Sequence, residues 1–275
     1  MSEFESICRK IKNVEIQGAQ NVAMAAVKAL MIRNDEKSVR KLISLRATEP
    51  ALRNAVELVK GDPKRLGPKA LEHFRKANDK IAEYGAKKIE DGTTVFTHCH
   101  ASSVMTVLKK AKQEGKKFEV RCTETRPLLQ GRKTARELAA LKIPVTMFVD
   151  SGARIALKDS DVFLFGADAI TSEGKVINKI GTEMFAEIAD KYDTDTYCCT
   201  NSWKYDPMTV FGVKEPIERR DSKEVWDKAP RGVKITNPAF ERVRPEMITA
   251  IISELGVHPP AVFVQEVRKA YPWLG

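Results

Sequence analysis

Cys99 stands between His98 and His100 at the end of a short apolar run, and other reactive side chains hold comparable places further along the chain. Thr123-Glu124-Thr125-Arg126-Pro127 follow a second such run, with Gln130 and Gly131 close behind. Asp150-Ser151 follow a third run, Asp168 a fourth, then come Asn178-Lys179, and Ser202-Trp203-Lys204 follow the last. A thiol, carboxylates and cationic groups gathered on one rim could hold a phosphorylated polyol and move protons on it. Each residue also has a plain structural reading. A lone cysteine is commonly a small buried hydrophobe, and Cys8, Cys122, Cys198 and Cys199 are read that way. Cys99 differs because a helix begins just after it, and a helix start lowers a thiol pKa toward the reactive thiolate. Asp168 could cap a turn, Lys179 could be a surface lysine, and Arg126 could serve a structural ion pair. His98 and His100 share a face if the strand continues through them, which invites a metal, yet no third ligand is evident nearby.

The elements that must position these residues follow from hydrophobic spacing. Residues 4–31, 36–60 and 69–91 read as helices, with breaks at Gly61-Asp62-Pro63 and Gly67-Pro68. From residue 93 the texture alternates. Strands are expected at 93–98, 118–123, 144–150, 161–168 and 195–200, and helices at 103–115, 132–142, 153–159 and 181–192. Beyond 205 the pattern thins, with a helix expected near 246–255. Alternating strands and helices imply a parallel sheet covered on both faces, whose ligands bind beyond the carboxyl ends of the strands. The expected fold is α/β: an N-terminal helical domain over 1–91 and a C-terminal Rossmann-like parallel-sheet domain over 92–275.

Composition narrows the function. The 275 residues are 43% hydrophobic and 31% charged, ordinary globular values that exclude collagen-like and disordered chains. No apolar run reaches the ~18–20 residues of a membrane span, and no signal-peptide core precedes residue 18, so a cytoplasmic location without membrane contact is expected. Five cysteines without a CxxC pair argue against a disulfide framework and a four-ligand zinc site. The net charge of +10 divides as +6 over 1–91, +6 over 92–150 and −2 over 151–275. Such an excess suits small phosphates as well as nucleic acid, and no Lys/Arg run with interleaved aromatics supports direct nucleic-acid binding. The patterns GxxxxGK[ST] and GxGxxG are absent, which removes the usual support for nucleotide hydrolysis and dinucleotide binding.

At these same positions the chain resembles a superfamily. It joins the α, β and δ subunits of translation initiation factor 2B with archaeal ribose-1,5-bisphosphate isomerase and methylthioribose-1-phosphate isomerase. The matching motifs are THCH (97–100), TETRPLLQG (123–131), the strand into VDS (149–151), FGADAI (165–170) and INKIGT (177–182), with echoes in IQGA (16–19) and NPAF (237–240). The resemblance implies a ligand between the two domains and a homodimer or higher homo-oligomer formed through the C-terminal domain. It implies Cys99 and Asp168 as a catalytic pair, Arg126 and Gln130 as phosphate and sugar contacts, and Asn178, Lys179 and Lys204 as further ligand contacts. Arg46 in LRAT (45–48) would match an arginine that grips the 1-phosphate, with Ala47 in place of the usual Pro. Where the isomerases carry Arg-Gly-Ala, this chain has Gln17-Gly18-Ala19. Losing one charge-assisted bond of about 1.5–3 kcal/mol weakens a phosphate ligand roughly ten- to hundredfold.

Two functions follow. One is an aldose-phosphate to ketose-phosphate isomerase for a pentose 1-phosphate or 1,5-bisphosphate, calling for no metal or organic cofactor. The other is a non-catalytic regulatory subunit that senses a sugar phosphate or nucleotide and meets a translation initiation factor. Gln17 favours the second, or a changed substrate, while the retained Cys99 and Asp168 favour the first.

Overall fold

Helices come first in the computed structural model, which describes residues 1–274 except Val14, Gln17, Ala47, Thr48 and 214–216. They are α1 (Glu3–Lys12), α2 (Ala19–Ile32), α3 (Glu36–Leu45), α4 (Pro50–Val59) and α5 (Pro63–Ala86). Side chains set several of their starts: Ser2 accepts from Glu5 N, Asp35 from Ser38 N and Asp62 from Arg65 N. Two expected helices are each divided. The 4–31 segment breaks before Gly18, whose φ of 85° lies outside the helical region. The 36–60 segment breaks ahead of Pro50, which starts α4 at a position where its missing N–H costs nothing. The break expected at Gly67-Pro68 does not occur, and α5 runs through it. Gly67 is there for contact with α2, since a Cβ on it would lie 2.7 Å from Met31 Sδ.

After the turn at Asp91-Gly92 the chain alternates as expected: β1 (Thr94–Thr97), α6 (Ser102–Gln113), β2 (Glu119–Thr123), α7 (Gln130–Ala140), β3 (Val145–Phe148), α8 (Ala153–Lys158) and β4 (Val162–Phe165). There follow β5 (Ala169–Ile170), β6 (Val176–Lys179), α9 (Thr182–Lys191), β7 (Asp195–Cys199), β8 (Phe240–Val243), β9 (Ala250–Ser253), β10 (Gly256–His258) and α10 (Pro260–Ala270). The helix expected near 246–255 is instead strand β9. Its Ala-Ile-Ile-Ser is a short apolar run, a case that periodicity alone cannot assign.

The main sheet has the order β10-β9-β7-β4-β1-β2-β3 and is parallel except for the β10–β9 pair. The chain builds outward from β1 through β2 to β3, then returns to the other side of β1 for β4, β7 and β9. The order therefore reverses between β1 and β4, where such sheets bind ligands. A small antiparallel sheet, β5-β6-β8, stands beyond the end of β4, and the sequence pattern did not announce it.

Strand residues alternate between two apolar layers. Phe96, Phe163, Phe165, Cys198 and Ile251 face one layer, which is continuous with the buried side chains of α1 to α4. Val95, Val162, Leu164, Cys199 and Ile252 face the other, with Ile81 of α5 and Val104, Val107 and Leu108 of α6. β4 is buried along its whole length. Among the described residues no helix is long and apolar enough to cross a membrane.

Gly131 is fixed by its surroundings, because a Cβ there would lie 1.7 Å from the carbonyl oxygen of Thr123. Backbone atoms cannot yield as a flexible side chain can. Gly131→Ala is expected to destabilise the protein by about 3 kcal/mol, read as a lowered midpoint in urea unfolding with unchanged slope.

Candidate active site

Cys99 lies in the short link between β1 and α6 with φ of 65°, a left-handed conformation that a side chain makes costly. Polar contacts hold it there. Its N–H donates to Thr125 Oγ1 at 3.0 Å, and its carbonyl accepts from Thr134 Oγ1 at 2.7 Å. Thr125, at φ 63°, is itself held by Asp150 at the end of β3. The two carboxylate oxygens of Asp150 accept from Thr125 N at 2.9 Å and Arg126 N at 2.7 Å. One carboxylate thus fixes the loop after β2, and that loop fixes the thiol after β1.

The neighbouring histidines are structural. The strand ends at Thr97, so His98 and His100 do not share a strand face. His98 is buried, stacks edge-on to Phe185 at 4.5 Å, and bonds through Nδ1 to Thr123 Oγ1 (2.8 Å) and through Nε2 to the Ile180 carbonyl (3.0 Å). Burial lowers its pKa to about 4, so it is neutral, with Nε2–H donating to Ile180. His100 Nδ1 is engaged by Thr134 Oγ1 at 3.0 Å. No group of three or more His, Cys, Asp and Glu side chains suited to a metal ion occurs among the described residues.

Asp168 follows β4, on the other side of the reversal point, and its N–H donates to the Ile177 carbonyl at 2.8 Å. Burial raises its pKa, while Lys204 and then Lys179 pull it back. Lys204 is 9% exposed, and its Nζ donates to the Ala167 carbonyl beside Asp168. Burial lowers the Lys204 pKa, with Asp168 the leading opposing charge. Lys179 ends β6, its Nζ 4.9 Å from the centre of the Phe240 ring. Asn178 beside it is buried and donates to Thr182 Oγ1 at 3.0 Å. The half-buried Cys99 thiol belongs to the same electrostatic group. Burial pushes its pKa up to about 11, Lys179 pulls it down, and Asp168 and Asp150 raise it. The helix start after Cys99 had suggested a lowered thiol pKa; removal from water is the larger effect and reverses the sign.

The N-terminal helices complete the surroundings. Asn54 of α4 donates from its amide nitrogen to the carbonyls of Trp203 and Tyr205, both at 2.8 Å, and so brackets Lys204. Arg53 pairs with Asp206 at 3.1 Å. Glu254 accepts from Ser202 N and Oγ on the other side of the same turn. Arg46 is among the charges that act on Asp168, and it is paired with Glu49 at 2.7 Å. Ala19 is buried at the start of α2 and Gly18 precedes it exposed. Gln20 accepts from Asn201 at 3.5 Å, close to the Lys204 turn. Gln17 lies outside the described residues.

Lys179 and Asp168 thus act on Cys99, and Lys204, Lys179 and Arg46 act on Asp168. Gln130 begins α7 with its Oε1 buried and unpartnered among the described residues. Arg126 is exposed, and its Nη2 donates to the Val225 carbonyl at 2.9 Å, outside this electrostatic group. Sequence reasoning named Thr125 only as part of the loop after β2 and missed Thr134, Asn54 and Glu49. Only Glu49 carried a signal, an acidic residue directly before the proline that opens a helix.

A thiol and a carboxyl that both hold their protons more tightly than usual, flanked by two ammonium groups, form an acid–base pair suited to proton transfer. The raised thiol pKa has a direct readout. Iodoacetamide is expected to label Cys99 before the other four cysteines, which are buried. Its labelling rate is expected to climb through the alkaline range toward a midpoint of about 11, and Lys179→Met to move that midpoint higher. Peptide mass spectrometry across pH checks both.

A family model, described as the Initiation factor 2 subunit family, matches residues 15–260. The ribose 1,5-bisphosphate isomerase of Methanocaldococcus jannaschii is 38% identical, the match covering 100% of this chain and 98% of that protein. The enzyme of the same name from Thermococcus kodakarensis is 35% identical, covering 99% and 96%. Among solved structures, the Pyrococcus horikoshii translation initiation factor eIF-2B superposes with a TM-score of 0.85 at 24% identity, covering 96% of this chain and all of that one. The last likeness concerns the fold; the family model and the whole-length matches reach further, and by them the chain belongs to the initiation factor 2 subunit family.

Proposed function

We propose that this protein is an aldose-phosphate to ketose-phosphate isomerase acting on a phosphorylated pentose. The observation that carries the reading is the placement of Cys99 and Asp168 on either side of the reversal point of the sheet, each within the other's electrostatic reach and flanked by Lys179 and Lys204. The whole-length relatives named ribose 1,5-bisphosphate isomerase support it. In this reading residues 1–91 and 92–275 are two domains with the sugar between them.

An aldose phosphorylated at C1 is locked as a ring, so the ring opens before the carbonyl moves. Asp168 in its acid form gives a proton to the ring oxygen as the C1–O bond breaks. Cys99 as thiolate takes the hydrogen of C2 as a proton, leaving a C1–C2 enol whose C1 oxygen still carries the phosphate. The thiol then returns that proton to C1 while Asp168 recovers a proton from the C2 hydroxyl, and a ketose results. Atoms and electrons balance within the sugar and the two side chains. Burial supports the acid form of Asp168 and opposes the thiolate, so the productive pair is the minority arrangement of the shared proton. Activity therefore falls on the acid side as thiolate is lost, and on the alkaline side as Asp168 stays ionised.

Partners follow as expectations of the same reading. The edge strand β3 and its surroundings expose Met147, Val149 and Ile155, an apolar face that suits a homo-oligomer. In a regulatory subunit the pocket would bind without turnover and a protein face would meet an initiation factor. Purified protein with ribose 1,5-bisphosphate, methylthioribose 1-phosphate and ribose 1-phosphate separates the readings. Ketose is expected, and Cys99→Ser and Asp168→Asn are each expected to lower kcat by about a thousandfold with small changes in binding. No ketose from any of the three, together with capture of an initiation factor 2 subunit, would establish the regulatory role instead.

A further inference from the structure

None of the steps above uses Glu49. It is the residue before α4, is 3% exposed, and its Oε1 accepts from Arg46 Nη2 at 2.7 Å and Nε at 3.0 Å. Its other oxygen, Oε2, is buried without a hydrogen-bond partner among the described residues. A buried acceptor is ordinarily paired, so this oxygen marks a place where a donor belongs. The location is the wall of the Cys99–Asp168 site. α4 grips the 202–204 turn through Asn54, that turn delivers Lys204 to the Ala167 carbonyl, and both Asp168 and Lys204 act electrostatically on the Glu49 carboxyl.

Two consequences bear on the ligand. First, the Arg46 guanidinium is already committed to a buried carboxylate, so little of its charge is left for a phosphate. Secondly, burial raises the Glu49 pKa and the Arg46 pairing opposes that; kept charged by Arg46, the free oxygen accepts a hydroxyl proton but repels a phosphate. Around Glu49 and Asp168, the cations Arg46, Lys179 and Lys204 are opposed by the Glu49 carboxylate and Glu218. Each phosphate ester brings about −1.5 to −2 charges at neutral pH, and a site whose cations are already partly offset tolerates one such group far better than two.

We propose that Glu49 sets ligand choice in this pocket: its free oxygen accepts a hydroxyl of a singly phosphorylated pentose and turns away a second phosphate. The proposal rests on the phosphosugar reading above. Calorimetric titration with ribose 1-phosphate and ribose 1,5-bisphosphate tests it, with Cys99→Ser in every sample so that bound sugar is not consumed. Replacing Glu49 by Ala is expected to shift the ratio of the two dissociation constants toward the bisphosphate by about fivefold or more. Glu49→Gln, which keeps the shape and an acceptor, is expected to shift it the same way while retaining monophosphate affinity, and it decides the matter if the alanine variant does not fold. A shift below about fivefold in every folded variant overturns the role of Glu49 and leaves the isomerase reading standing. Failure of the Cys99→Ser parent to bind either sugar overturns the phosphosugar reading itself.

Discussion

The carboxylate of Asp150 is the contact on which the site is built. It takes two successive backbone N–H groups, those of Thr125 and Arg126, at the end of the neighbouring strand. Thr125 then reaches the N–H of Cys99 with its hydroxyl. The thiol is presented by a left-handed residue, a conformation costing on the order of 1–3 kcal/mol that must be met by bonds elsewhere. Two charge-assisted bonds and two threonine hydroxyls supply them. Leu129 in the same loop shares the positive φ, and Gly131 lies under the Thr123 carbonyl, so the whole 123–131 segment is packed rather than draped.

Burial governs the chemistry that this scaffold presents. It raises the Cys99 thiol and the Asp168 carboxyl and lowers Lys204. All three lean toward their neutral forms, and each is restrained by the charge of another. Removing any one member therefore changes the proton affinity of the rest. Glu49 and Arg46 extend that coupling to the N-terminal helices, so the proton affinity of Asp168 is not the property of the sheet alone.

The sheet was legible because buried parallel strands write themselves as apolar runs. VFLF falls where the buried β4 does and VTMF where β3 does, although β3 is an edge strand and is not buried, and the chemistry-bearing residues follow their ends. Strand ends also pointed to Lys179 and Lys204, and the family resemblance pointed to Arg46. What stayed hidden was contact between distant segments. Nothing local in Asn54 shows that it will bond two carbonyls some 150 positions away (|i−j| of 149 and 151), and Thr125 and Thr134 are ordinary residues until the loops meet. The sign of the Cys99 shift was misread for the same reason. A helix start is visible in sequence, whereas exclusion of water depends on everything packed around the thiol. Strands β5, β6 and β8 were missed because they are short and because β8 pairs with β6 across a long separation.

The side-chain amide of Asn54 has two hydrogens, and both are committed, one to each carbonyl flanking Lys204. No spare donor remains with which to let go of one while keeping the other. Displacement of α4 must then drag the lysine along or break both links at once, so the ammonium group reports on the seating of the helical layer in an all-or-nothing manner. A pocket wired like this has its cation in place only when the roof is on.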